Sequence, residues 1–280
     1  MIADQSVDVL VIGGGINGAG IARDAAGRGL SVLLVEKNDL GGATSSASSK
    51  LIHGGLRYLE QFEFRLVAEA LREREVLLNA APHLVRPLRF VMPHVAELRP
   101  AWMIRAGLLL YDLLARRQTL PGSAAIDLSQ APYNNGLQPF LHKGFIYSDC
   151  RVDDARLVIA TARSAQARGA RICPRTACTT LNRDGAQWRA VLQTADGITE
   201  EIRARFVINA TGPWAKSFLT EVAGLNVPFG LRLVQGSHII VPKWWAGSNA
   251  YLVQNHDKRV IFINPYEGDM ALIGTTDIAH

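Results

Sequence analysis

The chain has 280 residues, of which 48% are hydrophobic and 20% are charged, and this composition is typical of a globular protein rather than a disordered one. It carries 30 Lys and Arg against 25 Asp and Glu, a net charge of +5, and no basic run with interleaved aromatic residues indicates nucleic-acid binding. The surplus of positive charge predicts a mildly basic solvated surface. Binding of an anionic ligand or of an anionic membrane surface is the alternative explanation.

Residues 7–36 predict a βαβ unit at the start of the chain. The run 7–12 is apolar apart from Asp8, as expected of a parallel strand that is buried on both faces. A helix that would end at Gly29 follows, and then a second apolar run that ends at Glu36. No basic region precedes the first strand, so a signal peptide is not predicted.

The glycines that follow the first strand, Gly13, Gly15 and Gly18, have the GxGxxG spacing. In this arrangement Gly13 permits a tight turn, Gly15 lets the backbone approach a pyrophosphate, and Gly18 lets the helix pack closely on the sheet. The helix N-terminus offers N–H groups to phosphate, and the carboxylate of Glu36 can accept hydrogen bonds from the ribose hydroxyls. The unit therefore predicts an adenine dinucleotide site, and the carboxylate would repel the 2′-phosphate of NADP.

The chain leaves this pattern after residue 40. A serine-rich stretch, residues 43–58, is typical either of a linker or of a loop that lies along a ligand. A predicted helix over 63–80 is followed by proline-punctuated segments, 82–139, with few strand signals. Because a nicotinamide-binding domain continues with regular βα units, the interruption favours a flavoprotein. The apolar face predicted for the helix consists of Leu66, Val67, Ala70, Leu71, Leu77 and Leu78.

Residues 102–117 predict an amphipathic helix with a basic end. Arg105 and Asp112 interrupt its apolar residues, so it does not predict a membrane span. Packing against the body of the protein is one interpretation, and lying on a membrane surface is the other.

Residues 150–212 predict a helix, a strand and a β-meander. The helix would begin near Asp153 and end at Gly169, and one strand would cover 170–181. The last strand of the meander leads into an Ala-Thr-Gly sequence that contains Thr211. Small residues there either form an ordinary turn or allow the backbone to approach a ligand.

The three cysteines, Cys150, Cys173 and Cys178, form no CxxC pair. Cys173 and Cys178 would point to opposite faces of their predicted strand, which argues against a shared metal or a disulfide. We therefore predict a reduced, cytoplasmic protein without a metal site.

From residue 229 onward, short apolar runs alternate with turn signals and predict an antiparallel sheet with one exposed face. This gives a predicted division into residues 1–228 and residues 229–280, the second being a substrate domain. Gln235, Ser237 and His238 break the apolar alternation of its first strand. His238 is then either a packed or surface histidine, or a site residue.

Taken together, these segments resemble the FAD-dependent glycerol-3-phosphate dehydrogenases, which belong to the D-amino-acid-oxidase-like flavoproteins. The serine-rich run with HGGLRY is specific to that family. The resemblance implies an α/β fold of the α+β kind: a Rossmann-like FAD-binding domain with an inserted meander, and an antiparallel substrate domain. It rests on residues 8–40, 43–78, 148–157, 208–216, 235–242 and 273–277.

The resemblance also implies an activity. A bound flavin oxidises sn-glycerol 3-phosphate to dihydroxyacetone phosphate, with hydride moving from C2 to flavin N5. Electrons then pass to membrane quinone, and the enzyme is bound peripherally to the cytoplasmic face of the membrane. An oxidase that passes electrons to oxygen is an alternative, and so is a non-catalytic module that binds FAD or ADP. The oligomeric state is left open.

The residues that the resemblance places at the site fall into three groups. Arg57 and Tyr58 would bind the substrate phosphate, for which arginine is a bidentate donor. His238 is the expected general base and His53 the other candidate, since a neutral imidazole can take the hydroxyl proton. The FAD contacts would be Gly13, Gly15, Gly18, Glu36, Thr44, Ser45, Ser46, Ser49, Lys50, His53, Gly54, Thr176, Ala177, Thr211, Gly212 and Trp214.

The chains of that family continue beyond the run at 273–277, which would make this sequence an N-terminal portion. The part that follows in the family carries the rest of the substrate sheet, a further arginine for substrate and a glycine-rich loop to the flavin. By this comparison the flavin side of the site would be incomplete and the sheet would have an unpaired edge.

Overall fold

The computed structural model of the chain describes residues 6–95, 97, 99–115, 118–255, 259–274 and 278–279. Residues 275–277 of the family-like run at 273–277 lie outside this range. The helices are α1 (Ile16–Gly27), α2 (Phe64–Ala80), α3 (Ala101–Leu113), α4 (Asp154–Gln166) and α5 (Ala215–Ser217), with 3₁₀ turns at Thr44–Ser46, Leu56–Gln61 and Gly212–Trp214 and a π turn at Phe218–Val222. The strands are β1 (Ser6–Ile12), β2 (Val32–Val35), β3 (Leu51–Ile52), β4 (Val85–Pro93), β5 (Ala124–Asp127), β6 (Lys143–Val152), β7 (Arg171–Cys173), β8 (Thr176–Asp184), β9 (Gln187–Thr194), β10 (Thr199–Asn209), β11 (Val234–Gln235), β12 (His238–Pro242), β13 (Ala250–Gln254), β14 (Val260–Tyr266), β15 (Met270–Gly274) and β16 (Ile278–Ala279).

The chain folds into two compact units, each built from two segments. Unit 1 consists of Met1–Ser48 and Asp153–Leu233, and unit 2 consists of Ser49–Val152 and Val234–His280. This grouping differs from the predicted boundary after residue 228. The physical reason is strand pairing: β13 pairs in parallel with β4, and β4 pairs with β6, so residues that the sequence assigned to the first domain share a sheet with the last strands.

Unit 1 has a six-stranded sheet of order β7-β2-β1-β10-β9-β8. β1 lies between β2 and β10 and is parallel to both, and β10, β9 and β8 form the predicted antiparallel meander. The predicted βαβ unit and the Rossmann-like fold class are confirmed.

Both faces of this sheet are covered, which explains why β2 is entirely apolar and β1 is apolar apart from Ser6 and Asp8. Val9 and Val11 pack with the alanines of α1, whereas Leu10 and Ile12 pack on the opposite face with the meander. Helix α4 packs beside α1, and its N-terminus is the predicted one, because the side chain of Asp153 accepts a hydrogen bond from the Arg156 amide at 3.1 Å.

Unit 2 contains a sheet whose main path is β12-β15-β14-β13-β4-β6-β3, with β5 paired to β6. Phe90 and Tyr147 face α2 and α3, whereas Val91 and Ile146 pack on the other face. The antiparallel order of the last strands agrees with the prediction. β4 was not predicted, because its prolines weaken the strand signal.

Other sequence-based expectations were wrong in detail. The strand predicted over 170–181 is two strands, β7 and β8, because the chain turns at Arg175, whose φ is +54°. Helix α2 buries Arg74 and Glu75, whereas Leu66 is exposed. In the described residues no helix is long and apolar enough to cross a membrane.

Candidate functional site

The turn after β1 and the first turn of α1 are packed so tightly that side chains are excluded at Gly13 and Gly18. Gly13 has φ +110°, and a Cβ added to it would overlap the carbonyl oxygen of Ala210. A Cβ at Gly18 would overlap the carbonyl oxygen of Gly13. Helix α1 therefore approaches the turn more closely than any other residue type at position 18 would allow.

Glu36 lies beside this turn and is held by backbone N–H groups. Its Oε2 accepts a hydrogen bond from the Gly14 amide at 2.7 Å, and its Oε1 accepts one from the Asn38 amide at 2.8 Å. The sequence reasoning assigned no role to Gly14, although a Cβ there would lie 2.7 Å from the Glu36 Cβ. The carboxylate is thus fixed at the carboxyl edge of the parallel strands.

The first part of the serine-rich stretch is an ordered loop at the N-terminus of α1. Ser45 Oγ accepts a hydrogen bond from the Ile16 amide at 3.0 Å, and Ser46 Oγ donates to the Ala43 carbonyl at 3.2 Å. Ser48 Oγ donates to Asp154 Oδ2 at 2.7 Å. Sequence reasoning missed Ser48 and Asp154, because a carboxylate in the first turn of a helix is ordinarily explained by the helix dipole alone.

The Ala-Thr-Gly loop after β10 lies against the glycine turn. The Thr211 amide nitrogen would be 3.1 Å from a Cβ at Gly13, and Thr211 Oγ1 donates to Asn209 Oδ1 at 2.7 Å. Gly212 has φ +58°, a backbone conformation that would be strained for a residue with a side chain. Trp214 is 48% exposed, and Lys37 Nζ lies 5.2 Å from its ring centroid.

The start of β8 also reaches this edge. The Thr176 amide donates to the Glu36 carbonyl at 2.8 Å, and Ala177 pairs with Gln193 in the neighbouring strand. The Thr176 N–H is therefore committed to the protein, which leaves other backbone groups of this segment for any adenine ring.

These unit 1 residues fit an adenine dinucleotide. The glycine turn keeps side chains away from the start of α1, and a hydroxyl oxygen already accepts a hydrogen bond from that helix terminus, as a phosphate oxygen would. The carboxylate of Glu36 stands where ribose hydroxyls can donate to it. Unit 1 holds Gly13, Gly15, Gly18, Glu36, Thr44, Ser45, Ser46, Thr176, Ala177, Thr211, Gly212 and Trp214.

Unit 2 brings His238 together with the second part of the serine-rich stretch. Ser49 Oγ and His238 Nε2 are 2.9 Å apart, and the Ser49 carbonyl accepts a hydrogen bond from Asn264 Nδ2 at 3.1 Å. Ser49 was expected at the cofactor, and Asn264 was not expected at all. Burial, and then the charge of Lys50, lower the pKa of His238 below its ordinary value of 6.5. Its imidazole is therefore neutral at neutral pH.

Lys50 occupies the turn between Ser49 and β3. Its φ is +55°, and its carbonyl oxygen accepts a hydrogen bond from the Val152 amide at 2.9 Å. Its Nζ lies 6.0 Å from the ring centroid of Tyr266. The ammonium group is thus directed along the same sheet that carries His238.

His53 is oriented differently from His238. Its Nδ1 accepts a hydrogen bond from the Gly55 amide at 3.0 Å, so the neutral ring carries its proton on Nε2. Its ring centroid is 5.9 Å from that of Phe262. Because the Nδ1 lone pair is already engaged, His53 suits the role of a hydrogen-bond donor better than that of a base.

Gly54, Arg57 and Tyr58 complete this turn. Gly54 is buried, and its amide donates to the Tyr111 hydroxyl at 2.8 Å. Arg57 is exposed on the following 3₁₀ turn, and its guanidinium makes no ion pair with any residue in the described part of the chain. The Tyr58 ring is 43% exposed and packs against Gly55. Unit 2 thus holds Ser49, Lys50, His53, Gly54, Arg57, Tyr58 and His238.

Across the described ranges, no three His, Cys, Asp or Glu side chains are grouped so that they could hold a metal ion.

Comparison with known proteins identifies what this chain is similar to. The sequence profile of the FAD dependent oxidoreductases, DAO, matches residues 8–280. The chain is 58% identical to D-erythritol 1-phosphate dehydrogenase of Brucella abortus, over 100% of this chain and 56% of that protein. It is 56% identical to glycerol-3-phosphate dehydrogenase of Pseudomonas tolaasii, over 96% of this chain and 52% of that protein.

A solved structure is similar as well. The glycerol-3-phosphate dehydrogenase from Bacillus halodurans, in complex with FAD, superimposes with a TM-score of 0.73 at 29% identity, covering 100% of this chain and 49% of that one. The chain therefore spans about half the length of the curated relatives that it matches.

Proposed function

The chain belongs to the family of FAD-dependent oxidoreductases, and from this premise we propose that it contributes to the FAD-dependent oxidation of sn-glycerol 3-phosphate to dihydroxyacetone phosphate. Because it spans about half of each curated relative, the activity is proposed for the whole protein to which such a chain corresponds. The observation that carries the proposal is the glycine turn of unit 1, with Glu36 and Ser45 fixed beside it.

The proposed role of unit 1 is to hold FAD. The pyrophosphate would bind to the N–H groups at the start of α1 and to the hydroxyl of Ser45. The Glu36 carboxylate would accept hydrogen bonds from the ribose hydroxyls. When bound, FAD supplies an acceptor for the hydride that leaves C2 of the alcohol.

The proposed role of unit 2 is to act on the substrate. His238 would take the hydroxyl proton, since its neutral imidazole has an available nitrogen once its contact with Ser49 is exchanged for the substrate hydroxyl. Arg57 would bind the phosphate as a bidentate donor. His53, with its proton on Nε2, would donate a hydrogen bond to the substrate rather than accept a proton.

A second substrate is supported by the Brucella abortus relative, whose name gives D-erythritol 1-phosphate as its substrate. Both compounds are monophosphates of a polyol, so both would use Arg57. Anaerobic flavin reduction by each phosphate, compared with unphosphorylated glycerol, tests the proposal. Reduction by sn-glycerol 3-phosphate at the higher kcat/KM supports it, and preference for D-erythritol 1-phosphate would reassign the substrate.

The electron acceptor is also part of the proposal. We expect membrane quinone, reached from a peripheral position on the cytoplasmic face, and the rival is oxygen with release of hydrogen peroxide. Reoxidation of the substrate-reduced protein by a soluble quinone, in parallel with air-saturated buffer, distinguishes them. Fast reoxidation by oxygen with stoichiometric peroxide would replace the quinone with oxygen.

A further inference from the structure

Unit 2 contains a buried polar cluster that the proposed reaction does not use. Arg74 of α2 and Asp149 of β6 are each 2% exposed, and Tyr111 of α3 is 3% exposed. Arg74 Nη1 lies 2.6 Å from Asp149 Oδ1 and donates to the Ser148 carbonyl at 2.9 Å. The Tyr111 hydroxyl donates to the Asp149 carboxylate, with distances of 2.9 Å and 3.0 Å to its oxygens.

Stability alone is a poor reason for this cluster. Taking ionised groups out of water is costly, and well-packed apolar residues are often as stabilising. The cluster contains Glu75 as well, whose Oε1 lies 3.6 Å from Arg74 Nη2. Arg74 Nε and Glu75 Oε1 are buried without a hydrogen-bond partner among the described residues.

The cluster converges on one backbone amide, that of Gly54. This N–H donates to the Tyr111 hydroxyl at 2.8 Å and lies 3.4 Å from Asp149 Oδ1. A Cβ at Gly54 would lie 2.6 Å from the Tyr111 hydroxyl oxygen and 2.5 Å from a Leu71 methyl carbon. Burial, and then the Asp149 carboxylate, raise the pKa of Tyr111, so its hydroxyl keeps the proton that it donates.

The fixed amide lies next to the group that orients His53. Gly55 follows with φ +72°, and its N–H donates to His53 Nδ1. The two amides belong to consecutive peptide planes that are joined by the φ and ψ angles of Gly54. Close packing of Gly54 against Leu71 and Tyr111 limits these angles, so fixing the Gly54 amide restricts the direction of the Gly55 amide. The position of the His53 ring therefore depends on side chains from α2, α3 and β6.

We propose that Asp149, Tyr111 and Arg74 are positioning residues for the turn 53–57, and that they hold His53 with its Nε2–H directed as a hydrogen-bond donor to the polyol phosphate. The substrate part of this inference rests on the proposed function. The positioning part does not, because it concerns the protein before any substrate binds.

The test uses Tyr111→Phe, which removes the hydroxyl and keeps the ring. Tyr147→Phe is the matched control, since Tyr147 is 1% exposed, its ring centroid is 6.0 Å from that of Tyr111, and its hydroxyl makes no described contact with Gly54. Amide hydrogen exchange at Gly54 and heteronuclear NMR of the His53 ring nitrogens are measured on the FAD-loaded protein. Tyr111→Phe should speed Gly54 exchange by about tenfold and mix the two His53 tautomers, and Tyr147→Phe should do neither.

Flavin reduction by sn-glycerol 3-phosphate provides a second readout. Tyr111→Phe should raise the substrate concentration at half-maximal rate by about threefold to tenfold, with the limiting rate little changed. Unaltered Gly54 exchange and an unaltered His53 tautomer in Tyr111→Phe would overturn the positioning role, and an equal rise in Tyr147→Phe would overturn the substrate part. If substrate does not reduce even the wild-type flavin, the proposed function fails, and NMR alone still decides the positioning role.

Discussion

Ser49 Oγ and His238 Nε2 lie 2.9 Å apart, although 189 positions separate the two residues in the chain. The contact joins the serine-rich stretch to the first residue of β12, and Asn264 fixes its serine end through the Ser49 carbonyl. The histidine is therefore oriented by the protein and does not rotate freely at a strand end. This orientation is what a general base requires, because proton transfer depends on hydrogen-bond geometry before it depends on pKa.

Replacing the proposed base should slow the chemical step without releasing FAD. His238→Gln is expected to reduce the rate of anaerobic flavin reduction by sn-glycerol 3-phosphate by about 10²–10⁴-fold, because no group then takes the hydroxyl proton. Stopped-flow absorbance measures the rate, and flavin content is measured on the same sample. His83→Gln, at an exposed position of unit 2, is the control. Unchanged single-turnover reduction in His238→Gln would remove this histidine from the mechanism.

The pH dependence of flavin reduction should reveal the same residue. The pKa of His238 is lowered by burial and then by Lys50, and the base must be neutral to act. The rate should therefore be constant at neutral pH and fall as the pH decreases through a value below 6.5. Lys50→Met should move this acidic limb to higher pH, because the positive charge that disfavours the imidazolium is removed. A limb that stays in place in Lys50→Met, or that persists in His238→Gln, assigns the titration to another group.

The glycine turn should tolerate no side chain at position 18. Gly18→Ala places a methyl group on the Gly13 carbonyl oxygen, and such overpacking costs about 1–3 kcal/mol of unfolding free energy. FAD affinity should fall with it, because the turn and the start of α1 must separate. Gly20→Ala in the same helix is the control, since its Cβ meets nothing within 4 Å. Urea unfolding and flavin titration measure both quantities, and equal behaviour of the two variants would refute the packing argument.

Phosphate recognition should depend on Arg57. Arg57→Gln is expected to raise the sn-glycerol 3-phosphate concentration at half-maximal flavin reduction by about 10–100-fold, the range for losing a hydrogen bond to a charged group. Arg65→Gln is the matched control, because Arg65 is exposed on α2 and pairs only with Glu69 among the described residues. Steady-state titration over a wide substrate range measures the shift. If Arg65→Gln produces the same shift, general surface charge and not a specific contact accounts for it.

Some of the fold and site could be predicted from local sequence, and the unit 1 elements show why. The strands β1 and β2 are apolar on both faces because both faces are covered, and Asp153 caps α4 through a short-range hydrogen bond. Such signals lie within a few residues of each other. The spacing of Gly13, Gly15 and Gly18 belongs to the same class, since one turn and one helix determine it.

Other features depend on contacts between distant segments, and local patterns do not contain them. The parallel pairing of β13 with β4 defines unit 2, yet it joins residues about 160 positions apart. Arg74 was not among the residues predicted for the buried face of the helix, because charged residues are almost always exposed unless paired and its partner Asp149 is distant in sequence. The contact between Ser49 and His238 likewise joins segments that are far apart in the sequence.

FAD-dependent substrate oxidation is tested first by the visible absorption spectrum of the purified whole protein to which this chain corresponds, recorded anaerobically before and after addition of sn-glycerol 3-phosphate. We expect oxidised flavin bands at close to one FAD per chain, and we expect sn-glycerol 3-phosphate, but not glycerol, to bleach them. Bound flavin that stays oxidised with every polyol phosphate would contradict oxidation of this substrate class and indicate a module that only binds FAD. A protein that takes up no FAD would contradict the site itself.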